Sequence, residues 1–233
     1  MIRGFFITGT DTDVGKTWVT LGLLKILADA GYQTAAFKPA ACGAVETAQG
    51  LRNQDALLLG EQATLRASYD EVNPYFFAAP IAPHLAARDA GIRIELPRVK
   101  AWFDALAARA HVVIAEGAGG WLVPLNERDT VADLARCLGL PVILVVGMRL
   151  GCLNHALLSA EGIAQRGVKL AGWVANAIQP HFSELERNVE ALRERIAAPL
   201  LGRVPYLPQR DVNQIAAGLE VKNILAALGT LSG

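Results

Sequence analysis

The sequence predicts an α/β protein: a single domain built on a mostly parallel β-sheet with helices on both faces. Three observations carry that prediction. Short, uninterrupted apolar runs alternate along the chain with segments of helical spacing, and strands that are apolar on both faces belong in a sheet covered on both sides. A glycine-bearing segment ending in Gly15-Lys16-Thr17 joins the first apolar run to the first helical segment. Just over half of the 233 residues are hydrophobic and 19% are charged, the balance of a chain that buries a core without staples.

Taken in order, Gly4-Phe-Phe-Ile-Thr8 reads as a strand, and Lys16 to Ala30 has helical spacing that stops at Gly31. Thr34-Ala-Ala-Phe-Lys38 reads as a second strand, halted by Pro39. Residues 40–97 are the least regular; helical spacing occurs from Asp55 to Gln62, and again from Leu96 to Ala110. A connection this long is either functional or carries helices of its own. His111-Val-Val-Ile-Ala-Glu116 is an apolar run ending on a carboxylate, and Pro141-Val-Ile-Leu-Val-Val146 is β-branched and unbroken. Ala156 to Arg166 is helical, Leu170 to Ala175 is a strand, His181 to Ile196 is a charged amphipathic helix, and Leu200 to Val204 is a last strand. The segment after Asp211 is weakly helical and reads as packing. No internal repeat or linker divides residues 1–233.

Lys plus Arg and Asp plus Glu number 22 each. No global basic field favours nucleic acid, so any anion site is local. Cys42, Cys137 and Cys152 lack metal-ligand spacing and read as free thiols in a reducing compartment. The histidines are dispersed, the apolar run at the N-terminus is too short for a signal peptide, and no stretch approaches a membrane span. The expectation is a soluble, cytoplasmic protein with no nucleic-acid or membrane partner.

The usual phosphate loop is Gly, four residues, then Gly-Lys-Ser/Thr. Here Thr10 occupies the first glycine position and Gly9 lies one residue earlier. The loop is a variant that still follows a strand and opens a helix, so backbone N–H groups at the helix start would face phosphates. Lys16 supplies charge to the terminal phosphates and Thr17 a hydroxyl for Mg²⁺, which makes the domain one of phosphate-loop nucleoside-triphosphatase type. Regulatory partitioning ATPases that resemble this fold carry a second lysine early in the loop. Asp11-Thr12-Asp13 contains none, which counts against a membrane- or DNA-positioning ATPase.

Strand ends in open α/β sheets deliver ligand-binding residues. Glu116, before Gly117-Ala118-Gly119-Gly120-Trp121, stands where a second metal-coordinating carboxylate would, or else marks a strand end before a turn. Lys38 is either an exposed strand end or a charge that stabilises a transferring phosphoryl group. Asp55 is a ligand, a helix N-cap or a solvated charge. Leu150-Gly151-Cys152-Leu153-Asn154-His155 opens a helix whose N-terminus holds an anion, or is simply capped by Asn154.

Together, Gly9 to Thr17, Phe37-Lys38-Pro39, Glu116 to Trp121, Val145-Val-Gly147 with Leu150 to His155, and Gly172-Trp-Val-Ala-Asn176 resemble dethiobiotin synthetase, in order, as far as about Pro208. Related amidotransferase synthetases share the loop but append a glutaminase domain, for which this chain has no room. The resemblance implies ATP-dependent carboxylation of 7,8-diaminononanoate by CO₂ and closure of a cyclic urea, through a carbamate and a carbamic–phosphoric anhydride. It implies Lys16 and Lys38 as catalytic lysines flanking the carbamate and γ-phosphate, and Thr17, Asp55 and Glu116 as Mg²⁺ ligands. ATP would also meet Asp13, Val14, Gly15, Trp18, Gly117, Ala118 and Gly119, with Asn176 at the adenine edge and Pro205, Tyr206 and Leu207 near the base. The diamine would be lined by Thr12, Asp13 and Cys42. Its carboxylate would be held by Gly151, Cys152, Leu153 and Asn154 of the other subunit of a homodimer.

Two positions depart from the family. Asp13 stands where Glu is frequent, which shortens the reach by one methylene, and Cys42 stands where Ser is usual, which gives a weaker donor. A phosphate-loop regulatory ATPase, or another ATP-dependent ligase of small carboxylic acids, remains the alternative function.

Overall fold

A computed structural model describes residues 4–229. Strand β1 (Gly4–Gly9) leads through the glycine-bearing loop into α1 (Lys16–Asp29), followed by β2 (Thr34–Phe37). Next come short strands β3 (Ala40–Cys42), β4 (Val45–Thr47) and β5 (Gly50–Arg52), helices α2 (Gln54–Gln62) and α3 (Tyr69–Val72), strand β6 (Tyr75–Phe77) and α4 (Pro83–Asp89). The chain continues through α5 (Leu96–Ala107), β7 (Val112–Gly120), α6 (Val131–Leu138), β8 (Val142–Met148) and α7 (Cys152–Gln165). It then runs through β9 (Leu170–Ala177), α8 (Leu185–Arg193), β10 (Leu200–Val204), α9 (Val212–Ala217) and α10 (Val221–Gly229).

Six strands form one parallel sheet in the order β10-β9-β8-β1-β7-β2. Every residue of β1 and β8 is buried, because alternate side chains serve two separate cores. Phe5 and Ile7 pack with Leu23 and Leu27 of α1 and Ile224 of α10. Phe6 packs with Phe103 of α5 and Ala156 of α7 on the other face. Burying side chains of this size contributes about 1.5–3 kcal/mol each. Because β1 lies between β7 and β8, the carboxyl ends of β1, β7 and β2 gather at one edge, the place where open α/β sheets bind ligands.

The parallel sheet, its strand sequence and both helical layers match the sequence expectation. Some boundaries differ. The strand expected to end at Glu116 runs on to Gly120, so Glu116 is internal to β7, and the pairing of β1 with β7 shifts register between Ile7 and Gly9. Lys38 lies one residue beyond β2. The helix expected over 181–196 is α8, shorter at both ends. Residues 40–97 hold a parallel pair, β3 with β6, and a hairpin, β4 with β5; three-residue strands are too short to show a period. Helix α6 was not anticipated. Its Thr130–Asp133 capping box ties the first turn back to the N-cap, with Thr130 N–H and Oγ1 both donating to Asp133 Oδ2, at 2.9 and 2.7 Å. The segment after Asp211 does pack, through Ile215 of α9 and Ile224 and Leu228 of α10.

Candidate active site

The glycine-bearing loop is shaped by two left-handed residues, Asp13 (φ 57°) and Gly15 (φ 88°). Gly15 is the N-cap of α1 and no side chain caps that end, so the first N–H groups of a 14-residue helix are left to a ligand. Thr10, where the usual pattern has glycine, is tied to the sheet instead. Its N–H donates to the Val145 carbonyl at 3.0 Å and its Oγ1 accepts from Gly147 N–H at 3.4 Å. Gly9 is the residue that needs to be small, since a Cβ there would lie 2.6 Å from Val14 Cγ2. Close packing against Val14 thus keeps position 9, not position 10, free of a side chain.

Asp11 organises the loop. Its carboxylate accepts from Thr12 N–H at 2.8 Å and from Arg149 Nη2 at 2.7 Å, and its carbonyl accepts from Lys16 Nζ at 2.9 Å. Burial, opposed by the Glu116 carboxylate and reinforced by Lys38, pushes the Lys16 ammonium down to about 8. An anion bound against Lys16 would favour its charged form.

Lys38, Glu116, Asp55 and Thr17 converge. Lys38 is 5% exposed and Glu116 is 0% exposed, with Nζ donating to Glu116 Oε1 at 2.5 Å and to Asp55 Oδ2 at 3.3 Å. Thr17 Oγ1 donates to the same Glu116 Oε1 at 2.9 Å. The exposed-strand-end alternative for Lys38 is therefore wrong. Burial acts to lower Lys38, but the carboxylates of Glu116 and Asp55 outweigh it and hold the ammonium above the ordinary lysine value. Asp55 is not a helix N-cap, because Asn53 is: its Oδ1 accepts from Ala56 N–H at 3.2 Å. Asp55, in the first turn of α2, reaches back to Lys38 instead.

The donor set suits Mg²⁺. Two carboxylates and a hydroxyl are hard oxygen ligands, and the two carboxylates already converge on one cationic group, the Lys38 ammonium. No cluster of three or more His, Cys, Asp or Glu occurs among the described residues. Mg²⁺ takes one or two carboxylates and completes its shell with phosphate oxygens and water.

A cavity of about 670 Å³ opens over this cluster. Of the residues singled out in the sequence, Thr12, Asp13, Gly15, Lys16, Thr17 and Trp18 line it, as do Lys38, Cys42, Asp55, Ala118 and Gly119. Val14, Glu116 and Asn176 stand behind that wall: Val14 is 2% exposed, and Asn176 Nδ2 donates to the Val14 carbonyl at 2.7 Å, bracing the loop from below. Gly117 sits over Phe6 and Val131, with no room for a Cβ. Burial pushes the Cys42 thiol up, against the pull of Lys38, so at neutral pH Cys42 is a neutral wall residue.

Two predicted groups lie elsewhere. Pro205, Tyr206 and Leu207 follow β10 and do not line the cavity. Gly151, Cys152, Leu153 and Asn154 form the start of α7, also outside it. Cys152 is 1% exposed with Sγ facing Asn188 Oδ1 at 3.7 Å, so of that residue only the backbone is placed to meet a ligand. Asn154 is not the cap of α7. Gly151 is, at φ 92° with no side-chain cap bond.

The sequence did not point to three features of the cavity lining, nor to one residue buried behind it. Asn53 lines it and also donates from Nδ2 to the Cys42 carbonyl at 3.0 Å; its N-cap position was a usable signal. The Pro80–Pro83 segment and Val123 form an apolar flank. Arg210, with its guanidinium 5.4 Å from the Trp18 ring centroid, also lines the cavity, and no local pattern links residues so far apart. Thr20 donates to Glu116 from a position four residues after Lys16, which puts it on the same helix face.

A family model described as an AAA domain matches residues 3–214. The chain is 54% identical over 219 residues to a protein of Pseudomonas aeruginosa named ATP-dependent dethiobiotin synthetase BioD, covering 94% of this chain and 96% of that one. It is 44% identical over 217 residues to the protein of the same name from Xanthomonas oryzae pv. oryzae, covering 93% and 97%. Among solved structures it resembles the cell division protein MinD of Aquifex aeolicus with a TM-score of 0.56, at 14% identity over 99% of this chain and 97% of that one. A ParA family ATPase from Chlorobium tepidum gives 0.53 at 12% identity, covering 99% and 96%. At those identities the likeness is one of fold.

Proposed function

The chain belongs to the ATP-dependent dethiobiotin synthetase family, and we propose that it carboxylates 7,8-diaminononanoate with CO₂ and closes the product to a cyclic urea in the cavity over Lys38. The observation that carries this is the buried Lys38 ammonium, bracketed by Glu116 and Asp55 and opening onto the same cavity as Lys16. Phosphoryl transfer asks for positioning and charge neutralisation rather than a protein nucleophile, and that arrangement offers both.

In this mechanism one amine adds to CO₂ and loses a proton, giving a carbamate. A carbamate oxygen attacks the γ-phosphorus of ATP and ADP departs, leaving a carbamic–phosphoric anhydride. The second amine attacks the carbonyl carbon, the C–O bond to phosphate breaks, and loss of a proton leaves the urea ring. Lys38 neutralises the carbamate and the incoming phosphoryl oxygens. Lys16 leaves the Asp11 carbonyl for the terminal phosphates, while backbone N–H groups from Gly15 to Trp18 cradle the others. Thr17, Asp55 and Glu116 would hold Mg²⁺, which supplies further charge neutralisation at the phosphates. Thr12, Asp13 and Cys42 line the diamine, Asn176 serves the adenine edge, and the Pro205–Leu207 segment flanks the base.

The decisive measurement is ADP release with diaminononanoate and bicarbonate together and with each omitted. We expect turnover only when both are present. ADP release indifferent to the diamine would reject the assignment and favour a nucleotide switch.

We further propose a homodimer, with the start of α7 from one subunit holding the diamine carboxylate at the other's cavity. In support, Gly151–Asn154 lie outside their own cavity, and the same region exposes apolar side chains, Leu150 at 90% and Leu158 at 60%. Leu158→Asp should convert a dimer to monomers by light scattering and raise KM for the diamine more than for ATP. A monomeric wild-type protein with full activity would rule the arrangement out. A cytoplasmic location is supported by three free thiols, Cys42, Cys137 and Cys152, and no helix among the described residues is long and apolar enough to cross a membrane.

A further inference from the structure

We infer that Thr20 is a positioning residue that fixes the Glu116 carboxylate for the divalent ion. Thr20 and Glu116 are both fully buried. The two oxygens of Glu116 are served by different parts of the protein. Oε1 takes Thr17 Oγ1 and Lys38 Nζ, which are the groups that open onto the cavity. Oε2 takes Thr20 Oγ1 at 2.7 Å. One oxygen is thus turned to the cavity side and the other is pinned to the wall of α1.

A threonine inside a helix commonly donates to the carbonyl four residues back, and Lys16 O lies 2.9 Å from Thr20 Oγ1. The hydroxyl has a single proton for two acceptors. The carboxylate is the stronger acceptor and the nearer one. Donating to Lys16 O instead would turn a lone pair towards Oε2 between two side chains that are fully buried, where unmatched polar atoms are expensive. The proton therefore goes to Glu116. Partners of this kind set the orientation of a metal-ligating side chain, and their loss typically weakens metal binding about 10–100-fold. Thr20 comes one helical turn after Lys16, so the residue that orients Glu116 and the lysine that meets phosphate ride on one rigid element.

The inference rests on the Mg²⁺ assignment to Glu116, and the test separates the two. Mn²⁺ binding to the ADP-bound enzyme is titrated by electron paramagnetic resonance, and ADP binding without metal by calorimetry, for wild type, Thr20→Val, Thr20→Ser and Glu116→Gln. We expect Thr20→Val to weaken Mn²⁺ roughly tenfold or more, to change metal-free ADP affinity by less than about twofold, and Thr20→Ser to restore wild-type Mn²⁺ binding. Should Thr20→Val not fold, Thr20→Ala takes its place in the same comparison. If Glu116→Gln weakens Mn²⁺ while the Thr20 variants bind it normally, the role of Thr20 is overturned and the metal assignment stands. If Glu116→Gln also binds Mn²⁺ normally, the metal assignment itself fails. A Thr20→Ser protein as defective as Thr20→Val would show that any change of side-chain shape at this buried position weakens the metal, whether or not the hydroxyl is kept, and would overturn the inference as well.

Discussion

Lys38→Met is expected to reduce turnover by about 10²–10³-fold, the usual loss when one preorganised charge partner of a transition state is removed, while ATP still binds. Lys38 Nζ faces the cavity from a buried position and is not part of the loop that cradles phosphate. Its removal therefore takes charge from the reacting centre without dismantling the nucleotide site. The same change leaves Glu116, which is 0% exposed, without its ammonium partner. Breaking one side of a buried ion pair costs about 3–5 kcal/mol, so urea unfolding should shift markedly in the same variant. Adding Glu116→Gln to Lys38→Met should recover much of that stability and none of the activity. ADP release in a single turnover and the urea midpoint read the two effects separately. Normal turnover in Lys38→Met would remove Lys38 from the chemistry.

Gly15→Ala is expected to be nearly as damaging, by a different route. Gly15 sits at φ 88°, a conformation that costs an alanine roughly 1–2 kcal/mol. Its new Cβ would lie 2.2 Å from Asn176 Nδ2, the amide that holds the Val14 carbonyl at 2.7 Å. The alanine must therefore either displace that brace or open the loop, and both spoil the N–H cradle at the start of α1. We expect ATP affinity to fall at least tenfold, equivalent to about 1.4 kcal/mol, with a smaller effect on turnover at saturating ATP. Calorimetric titration with ATP decides it. Unchanged affinity would mean that the loop bears no phosphate.

Much of this was legible in the sequence for local reasons. Gly15-Lys16-Thr17 between an apolar strand and a helix is a signal contained in a few consecutive residues. The β-branched run at Val142–Val146 announces a central strand because full burial leaves no polar face to disguise it. Three-residue strands such as β3 and β6 carry no period and stayed hidden. Helix α6 carries two local signals, its Thr130–Asp133 box and the following Gly139, but its 8 residues are too few to show a helical period. Positions 38, 55 and 116, which the structure brings together, were legible only as charged residues with competing roles, since a strand end or a helix start looks the same whether it is solvated or buried.

By itself the sequence determined a parallel α/β domain with a variant phosphate loop and a short set of charged residues at strand ends, because periodicity and loop chemistry are written in neighbouring residues. Only the tertiary structure decided that Lys38 and Glu116 form one buried pair, that Asp55 reaches that pair rather than capping α2, and that Thr20 holds the far oxygen of Glu116. It also decided that Asn176 braces the loop. The physical reason is that burial and hydrogen-bond distance depend on which strands become neighbours. The order β8-β1-β7-β2 brings together residues far apart in the chain, and no local pattern records that order.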